Sequence, residues 1–406
     1  MLFHSKLLPV LGISLFCKKT SKAKVKNKSF KTADVILISV VHFVHDVYSS
    51  FLAPILPLLI EKLGMSYAVV GALSVVQRIP SLFNPFIGIL ADKTSVRYFL
   101  IIAPAITTIV MSLIGVAPNV FVLGLLLFIM GFSATLFHVP GPVIIKNLSG
   151  SKIGRGMSFY MLGGELARTV GPMFILGGIS LWGLEGSYRL VPFGLIASLI
   201  LFFRFRKMPA YSVPSQNKKK SIGIPRDLLR FFLVLLAITF FRSIMKSAFT
   251  TFLPTFMSER GATLWISGAS LSILQFSGAI GTFAAGPISD KIGRRSSLLI
   301  IASITPVLMW LFVSSSGLWS FVVLTIMGLF LFANGPVLLA LVQEIGVDRP
   351  AFSNGIYMTM SFFISSLAAL VIGIMGDHFG LTISFKVAAI MALGGIPFVM
   401  LLPGNK

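Results

Sequence analysis

The chain has 406 residues, of which 56% are hydrophobic and 11% are charged, and its mean hydropathy is +0.94. An ordinary soluble domain carries about 25% charged residues, so this composition excludes a water-soluble protein. The single cysteine excludes a disulfide framework, a cysteine-zinc site and an iron–sulfur cluster. What remains is a protein built from many membrane-spanning helices.

The chain begins with a basic tail, residues 1–32. An apolar run at 7–16 is only ten residues long and is followed by seven lysines. It is too short to cross a bilayer, which takes about 20 residues, and a cleavable signal peptide would carry small residues where these lysines stand. We therefore predict a cytoplasmic tail that is disordered or lies on the membrane surface. An over-extended start site is the alternative.

Twelve apolar stretches long enough to cross a bilayer follow the tail. Six lie in each half, which predicts an all-α integral membrane protein of two pseudo-symmetric six-helix bundles, at 33–206 and 227–406. A polar segment at 207–226 joins the bundles as a cytoplasmic linker. The predicted helices, numbered 1 to 12 along the chain, span 33–60, 67–90, 97–115, 118–146, 156–181, 187–206, 228–257, 264–289, 295–314, 317–344, 351–376 and 380–402.

The basic residues predict the orientation of these helices. Of the 34 Lys and Arg, 26 lie in the termini and in the loops on their side of the membrane, and three lie in loops on the other side. The positive-inside rule therefore places both termini in the cytoplasm. The net charge of +22 reflects this topology and attraction to the anionic lipids of the bilayer, so nucleic acid is not a predicted partner.

Predicted helix 1 carries His42, His45 and Asp46 near its middle. A charge at the bilayer centre costs at least about 2.5–3.5 kcal/mol, so such residues face a cavity or a partner. His42 and Asp46 are four residues apart and share one helix face, and imidazole changes its charge near neutral pH. This pair is our preferred proton site. A static ion pair between Asp46 and Arg78 of helix 2 is the alternative.

The loop between helices 2 and 3 recurs 198 residues later, between helices 8 and 9. The carboxylates of Asp92 and Asp290 stand beside basic residues, and each can bond such a residue or the N-terminus of a neighbouring helix. We predict a latch that closes the cytoplasmic side of the two halves and releases as they rock. Solvated charges that only enforce topology are the alternative. The matched residues are Gly88, Asp92, Lys93 and Arg97 in the first copy and Gly286, Asp290, Lys291 and Arg295 in the second, with Gly293 and Arg294 standing where the first copy has Ser95 and Val96.

Charged residues in helices 5 and 7 indicate the substrate. Glu165 and Arg168 are three residues apart and can pair within helix 5. Arg242 and Lys246 are like charges four apart in helix 7, which is unfavourable unless an anion lies between them. Together with the charged residues of helices 1 and 2, these give four bases against two acids. The excess positive charge predicts an anionic substrate.

Three further polar side chains lie within predicted helices: His138 in helix 4, Gln275 in helix 8 and Asn334 in helix 10. Each either hydrogen-bonds between helices or contacts the solute or the proton in a cavity, and we include all three among the candidate substrate-binding and coupling residues. A metal site at His42, His45 and Asp46 would lack a fourth ligand. We therefore predict no metal and no cofactor.

The repeated loop carries a family resemblance. The pattern G-x-x-x-D-K-x-G-R-R at 286–295, between two spans of a six-plus-six layout, resembles the signature loop of the major facilitator superfamily. The resemblance covers nearly the whole chain after residue 33. It implies a secondary transporter that moves a small solute by alternating access, with helices 1, 4 and 7 lining a central cavity.

A narrower resemblance lies in helices 1, 4 and 5. His42-Phe-Val-His45-Asp46, Phe137-His138 and Gly163-Gly164 resemble the fosmidomycin-resistance type of facilitator. The pair Gly171-Pro172 resembles the kink of helix 5 in drug:proton antiporters. These resemblances imply a proton-coupled exporter in a prokaryotic inner membrane.

We therefore predict a monomeric, proton-coupled exporter of a small anionic or amphiphilic solute. The alternative is a proton-coupled importer of an organic anion, such as a carboxylate or a phosphorylated metabolite. The sequence has no G-x-x-x-x-G-K-[ST] loop, so ATP-driven pumping is not expected. A membrane-embedded enzyme and a non-transporting sensor are the remaining classes, and neither is favoured.

Overall fold

The computed structural model describes residues 30–84, 86–87, 97–150, 152–206, 226–345 and 350–402. Every regular element within these ranges is helical. Three predicted features lie largely outside the described residues: the basic tail up to residue 29, the linker from 207 to 225, and Gly88, Asp92 and Lys93 of the first signature loop. The side chain of Arg97 is not described either.

Where the structure describes it, the N-terminal half contains six helical segments. Two of them have a capping side chain at the N-terminus. Ser66 Oγ accepts a hydrogen bond from the Val69 amide, and Asn119 Oδ1 accepts one from the Val122 amide. The segments are α1 (Thr32–Ser49, continued by Leu52–Leu63), α2 (Tyr67–Arg78, continued by a 3₁₀ turn at Ile79–Phe83), α3 (Arg97–Ser112), α4 (Val120–His138, continued by Gly141–Leu148), α5 (Ile153–Trp182) and α6 (Val191–Phe205, preceded by a 3₁₀ turn at Glu185–Leu190).

The C-terminal half repeats this arrangement with longer helices. Its segments are α7 (Arg226–Glu259), α8 (Leu264–Ile292), α9 (Arg294–Ser314), α10 (Leu318–Ile345), and a run at Pro350–Leu393 that turns at Gly380 and so forms α11 (350–379) and α12 (381–393, continued by Gly395–Met400). Gly380 has a φ of +76°, which favours glycine over residues with a side chain. Within the described ranges, nine helices are long and apolar enough to cross a membrane. The protein is therefore a multi-pass membrane protein.

The predicted spans agree with these helices apart from interruptions at residues 50–51 of helix 1 and residue 394 of helix 12, and apart from two differences that lie beside proline. Predicted helix 4 ran unbroken from 118 to 146, whereas the structure interrupts it after His138, beside Pro140 and Pro142. Predicted helix 2 was continuous to residue 90, whereas the α-helix ends at Arg78, two residues before Pro80. Proline lacks a backbone N–H and disfavours helical conformation in the residue before it, which accounts for both differences.

The hydrophobic core of the described residues is shared between the halves at one end only. On the side where the described chain begins and ends, at residues 30 and 402 (called the side of the termini), each half has a separate cluster, represented by Val35 and Phe137 in the first and by Phe231 and Leu402 in the second. Toward the opposite side, a single cluster joins both halves and includes Leu56 of α1 and Leu381 of α12. The space between the halves is therefore closed on the side opposite the termini.

Glycines allow α2 and α11 to touch at this closed side. A Cβ atom at Gly71 would lie 2.5 Å from Leu370 Cα, and one at Gly373 would lie 2.2 Å from the Tyr67 carbonyl oxygen. Asp377 at the end of α11 accepts hydrogen bonds from the amides of Tyr67 and Ala68, at 2.7 and 2.9 Å. These bonds satisfy two of the unpaired donors at the start of α2 and tie the halves together.

Candidate functional site

Asp46 lies at the centre of a histidine cluster formed by α1 and α4. Its Oδ1 atom is 2.9 Å from His45 Nδ1 and 3.3 Å from His138 Nε2, and its Oδ2 atom is 3.4 Å from His42 Nε2. Arg168 of α5 approaches Oδ2 to 3.9 Å. The structure therefore brings together all three candidate histidines around one carboxylate.

The members of this cluster differ in their exposure to the space between the two halves, which we call the cavity. Asp46 is 3% exposed and His45 is fully buried, whereas the side chains of His138 and Arg168 are 32% and 38% exposed. His42 is fixed by its Nδ1 atom, which lies 2.7 Å from the Tyr160 carbonyl oxygen, and its ring stacks on the Tyr160 ring at 4.0 Å. His138 and Arg168 are thus the members of the cluster whose side chains are exposed to the cavity.

Small residues on α5 let it approach the cluster closely. A Cβ atom at Gly163 would lie 2.4 Å from the Ser39 carbonyl oxygen, and one at Gly171 would lie 1.9 Å from Ser50 Oγ. At Gly164 a Cβ atom would lie 2.8 Å from His42 Cε1 and 3.2 Å from Asp46 Oδ2. The motif glycines of α5 therefore set the distance at which Arg168 meets Asp46.

Replacing Gly164 by valine should displace the His42 ring and lower transport by at least about tenfold, while the protein still inserts in the membrane. Gly177→Ala is the matched control, because a Cβ atom there meets nothing within 4 Å on the same helix. We expect that control to transport normally and to be equally or slightly more stable, since alanine favours helix over glycine by about 1 kcal/mol. Transport in proteoliposomes and thermal unfolding measure the two effects. Normal transport by Gly164→Val would show that the position of His42 does not matter.

Glu165 and Arg168 form the ion pair within α5 that their spacing predicts. One carboxylate oxygen of Glu165 and the Nε atom of Arg168 are nevertheless buried with no hydrogen-bond partner among the described residues. Buried polar atoms without partners are costly in a folded protein. The pair therefore keeps unused hydrogen-bonding capacity at the edge of the cavity.

Arg78 of α2 does not form the predicted alternative pair with Asp46 within the described part of the chain. Its guanidinium lies over the ring of Phe362 in α11, at 5.1 Å from the ring centre. It remains within electrostatic range of Arg168 and Asp46. Arg78 therefore contributes positive charge to the cavity while it contacts the opposite half.

Lys246 of α7 adds a positive charge from the C-terminal half. It lies within electrostatic range of Arg168, Glu165 and Arg78, and its Nζ atom is 5.5 Å from the centre of the Phe332 ring. Basic groups from α2, α5 and α7 thus converge on one region between the halves. Of these, only Arg168 has a carboxylate partner among the described residues.

The remaining candidates of the C-terminal half lie apart from the Asp46 cluster. Arg242 and Asn334 line a small cavity among α7, α9, α10 and α12, together with Thr305. The Nε atom of Arg242 is buried there with no hydrogen-bond partner in the described ranges. Gln275 of α8 is also buried, with its Oε1 atom unpaired among these residues.

The second signature loop is held within the C-terminal half. Arg294 pairs with Asp290 at 2.5 Å and with Glu344 of α10 at 2.9 Å, and it donates to the Gly286 carbonyl oxygen at 3.4 Å. Gly293 has a φ of +91° immediately before α9, a conformation that favours glycine. No described contact of Asp290 crosses to the other half, and Glu344 is a partner that the sequence motif did not indicate.

The cluster has the spacing of a metal site but not its electrostatics. One ligand atom each from His42, Asp46 and His138 lie within 4.8 Å of one another. Both carboxylate oxygens are already close to imidazole nitrogens, and the Arg168 guanidinium adds a positive charge at 3.9 Å. A divalent cation would be repelled by that charge.

Comparison with known proteins identifies relatives that match most of the chain. The chain is 26% identical to the fosmidomycin resistance protein of Escherichia coli K12 over 98% of its own length and 97% of that protein. It is 25% identical to the multidrug resistance efflux pump PmrA of Streptococcus pneumoniae, over 81% of this chain and 86% of the pump. Among solved structures, it resembles a bacterial homologue of the human lysosomal transporter Spinster in its inward-facing and occupied conformation, with a TM-score of 0.79, 14% identity, and coverage of 93% of this chain and 97% of that one.

The family itself follows from a match along most of the chain. The sequence model of the Major Facilitator Superfamily matches residues 38–369, which span both halves and every helix that contributes to the Asp46 cluster. The predicted resemblance, including its fosmidomycin-resistance type, is thereby confirmed. The chain belongs to the Major Facilitator Superfamily and is a membrane transporter rather than an enzyme.

Proposed function

We propose that this transporter is a proton-coupled exporter of small anionic or amphiphilic solutes in a bacterial inner membrane, acting as a monomer with both termini in the cytoplasm. The observation that carries the proposal is the Asp46–histidine cluster beside a group of basic side chains between the two halves. Two relatives named for fosmidomycin resistance and multidrug efflux support export.

The uneven core supports alternating access. Among the described residues, the halves share an apolar cluster only on the side opposite the termini, and the Asp377 carboxylate binds α2 there. With the termini in the cytoplasm, the described parts of the two halves are packed together on the external side in this conformation. Export then requires the Asp377 contacts to break while contacts form on the side of the termini, so that the solute and the Asp46 cluster face the exterior.

The basic groups account for attraction of an anion. Arg78 and Lys246 have no carboxylate partner among the described residues, and Arg168 shares its charge between Glu165 and Asp46. In an enclosed region of effective dielectric near 20, two unit charges about 4 Å apart interact by about 4 kcal/mol. A phosphonate or carboxylate among these side chains would therefore be held by charge.

A second candidate, import of an organic anion with protons, is favoured by one feature of the same site. An anion beside Arg168 adds negative charge near the Asp46 cluster, and negative charge strengthens proton binding there. Mutual strengthening of the two ligands is the linkage expected of a symporter. The gradient separates the candidates, because an antiporter in vesicles accumulates solute when the lumen is acidic and a symporter when the outside is acidic.

Replacing Lys246 by glutamine should weaken the binding of fosmidomycin, an anionic phosphonate, by about tenfold, which corresponds to roughly 1.4 kcal/mol. The substitution removes one positive charge and keeps most of the side-chain volume. Lys386→Gln is the matched control, since Lys386 lies in α12 over the Trp310 ring at 5.4 Å. Thermal stabilisation of the purified protein by fosmidomycin measures both variants. Equal affinities in the wild type and both variants would remove the anionic substrate from the proposal.

A further inference from the structure

Two buried hydroxyl groups lie behind His45, on the side away from Asp46. Thr107 Oγ1 of α3 is 3.0 Å from His45 Nε2, and Ser133 Oγ of α4 is 2.8 Å from Thr107 Oγ1. Ser133 Oγ is in turn 2.6 Å from the Ala103 carbonyl oxygen. Neither hydroxyl residue has any solvent exposure. The bonds therefore form one chain from a backbone carbonyl to the imidazole ring.

The direction of every bond in this chain is fixed by the supply of protons. A carbonyl oxygen only accepts, so Ser133 donates its single hydroxyl proton to Ala103. Ser133 Oγ must then accept a hydrogen bond from Thr107, and this bond uses the single hydroxyl proton of Thr107. Thr107 can only accept from His45. The Nε2 atom of His45 therefore carries a proton.

This assignment determines what lies between His45 and Asp46. With a proton on Nε2, a neutral imidazole would present the lone pair of Nδ1 to Asp46 Oδ1 at 2.9 Å. A bare carboxylate opposite that lone pair would repel it, so the short contact requires one proton in the link. The proton can be described on either atom, as an imidazolium with a carboxylate or as an imidazole with a carboxylic acid.

We propose that His45 and Asp46 form the proton-binding dyad of the transporter. Thr107 and Ser133 are positioning residues that keep a proton on His45 Nε2 and so turn Nδ1 toward Asp46. The hydroxyl chain ends at a carbonyl oxygen and cannot pass a proton onward. The exchange path is therefore His138, whose Nε2 atom is 3.3 Å from Asp46 Oδ1 and whose side chain is exposed to the cavity. A proton taken up from cavity water passes from His138 Nε2 to Asp46 Oδ1, and the reverse step returns it.

Other charged groups surround the dyad and act on its proton. His42 and His138 contact Asp46 directly, and Arg168 lies 3.9 Å from its Oδ2 atom. The titratable and charged side chains that face the dyad, or lie within electrostatic range of these groups, are His42, Arg78, His138, Tyr160, Glu165, Arg168, Arg242 and Lys246. None of them is changed by a substitution at Thr107, so such a substitution isolates the hydroxyl chain.

The test is the tautomer of His45, observed by nitrogen NMR of the full-length protein labelled with ¹⁵N-histidine and assigned by difference from His45→Gln. We expect a proton on Nε2 at every pH at which the protein is folded. Thr107→Val removes the acceptor, and we expect loss of this fixed tautomer together with a downward shift of the pH midpoint of transport by about one unit, a tenfold change in proton affinity. Thr107→Ser should restore both properties.

Thr108→Val is the matched control, because Thr108 is the next residue on α3 and its hydroxyl is buried with no partner among the described residues. A wild-type His45 without a proton on Nε2, or equal tautomer behaviour in the Thr107 and Thr108 valine variants, would overturn the proposal. The polarity assignment rests on bonds alone, whereas its role in transport rests on the proposed function. A fixed His45 tautomer in a protein whose transport does not respond to the pH gradient would therefore support the proposed hydrogen-bond directions and contradict proton coupling.

Discussion

Asp46→Asn should reduce transport driven by a pH gradient to the level of protein-free vesicles. The amide cannot bind and release a proton, although it preserves the size of the side chain at the centre of the histidine cluster. Exchange of labelled for unlabelled fosmidomycin across the membrane needs no net proton movement, so we expect it to continue. The two assays, on the same reconstituted protein, separate coupling from binding.

Asp34→Asn is the matched control for this experiment. Asp34 is a second buried carboxylate of α1, but it pairs with Arg204 at 2.7 Å, near the side of the termini. That variant should retain both gradient-driven transport and exchange. Loss of both activities in a folded Asp46→Asn protein would instead assign Asp46 to substrate binding or structure, and the proton site would have to be sought at Glu165 or His138.

Asp377→Ala should shift the protein away from the conformation that is closed opposite the termini. The carboxylate caps the start of α2 by accepting from the Tyr67 and Ala68 amides, and no other described contact pairs those amides across the halves. Loss of a helix cap costs about 0.5–2 kcal/mol. Because the cap exists only while the halves are closed on this side, that energy changes the ratio of the two conformations by about 2-fold to 30-fold.

Spin labels at positions 61 and 319, in a Cys17→Ser background, report this change as a distance between the halves. The wild type should give mainly the short distance, and Asp377→Ala should populate longer distances. Asp377→Asn keeps an amide oxygen that can still accept, so we expect an intermediate distribution, whereas the neighbouring His378→Ala should resemble the wild type. An unchanged distribution in Asp377→Ala would show that the cap does not hold the halves together.

The helical bundles could be predicted because the sequence features that specify them lie within single helices and loops. Bilayer thickness fixes the length of each span, and the distribution of 34 basic residues between loops predicts the orientation. The shared face of His42 and Asp46 followed from their spacing of four in one helix. The Glu165–Arg168 pair followed in the same way, from a spacing of three.

The parts of the site that could not be predicted depend on packing between helices. Thr107 and Ser133 are ordinary hydroxyl residues in apolar helices, and only the approach of α3 and α4 to α1 connects them to His45. Tyr67 and Asp377 are 310 residues apart, so no local spacing relates them. Glu344 likewise meets Arg294 only because α10 packs beside the second signature loop. Identifying these residues requires the fold.

The most direct test of the account is a pH indicator trapped inside proteoliposomes that contain the wild-type protein, with fosmidomycin added outside at equal pH. The account predicts that the lumen becomes alkaline as fosmidomycin enters, because each inward step is exchanged for outward protons, and that Asp46→Asn abolishes the pH change. Fosmidomycin entry with no pH change would contradict proton coupling. Acidification of the lumen would show that protons accompany the solute, and would replace the exporter with the symporter.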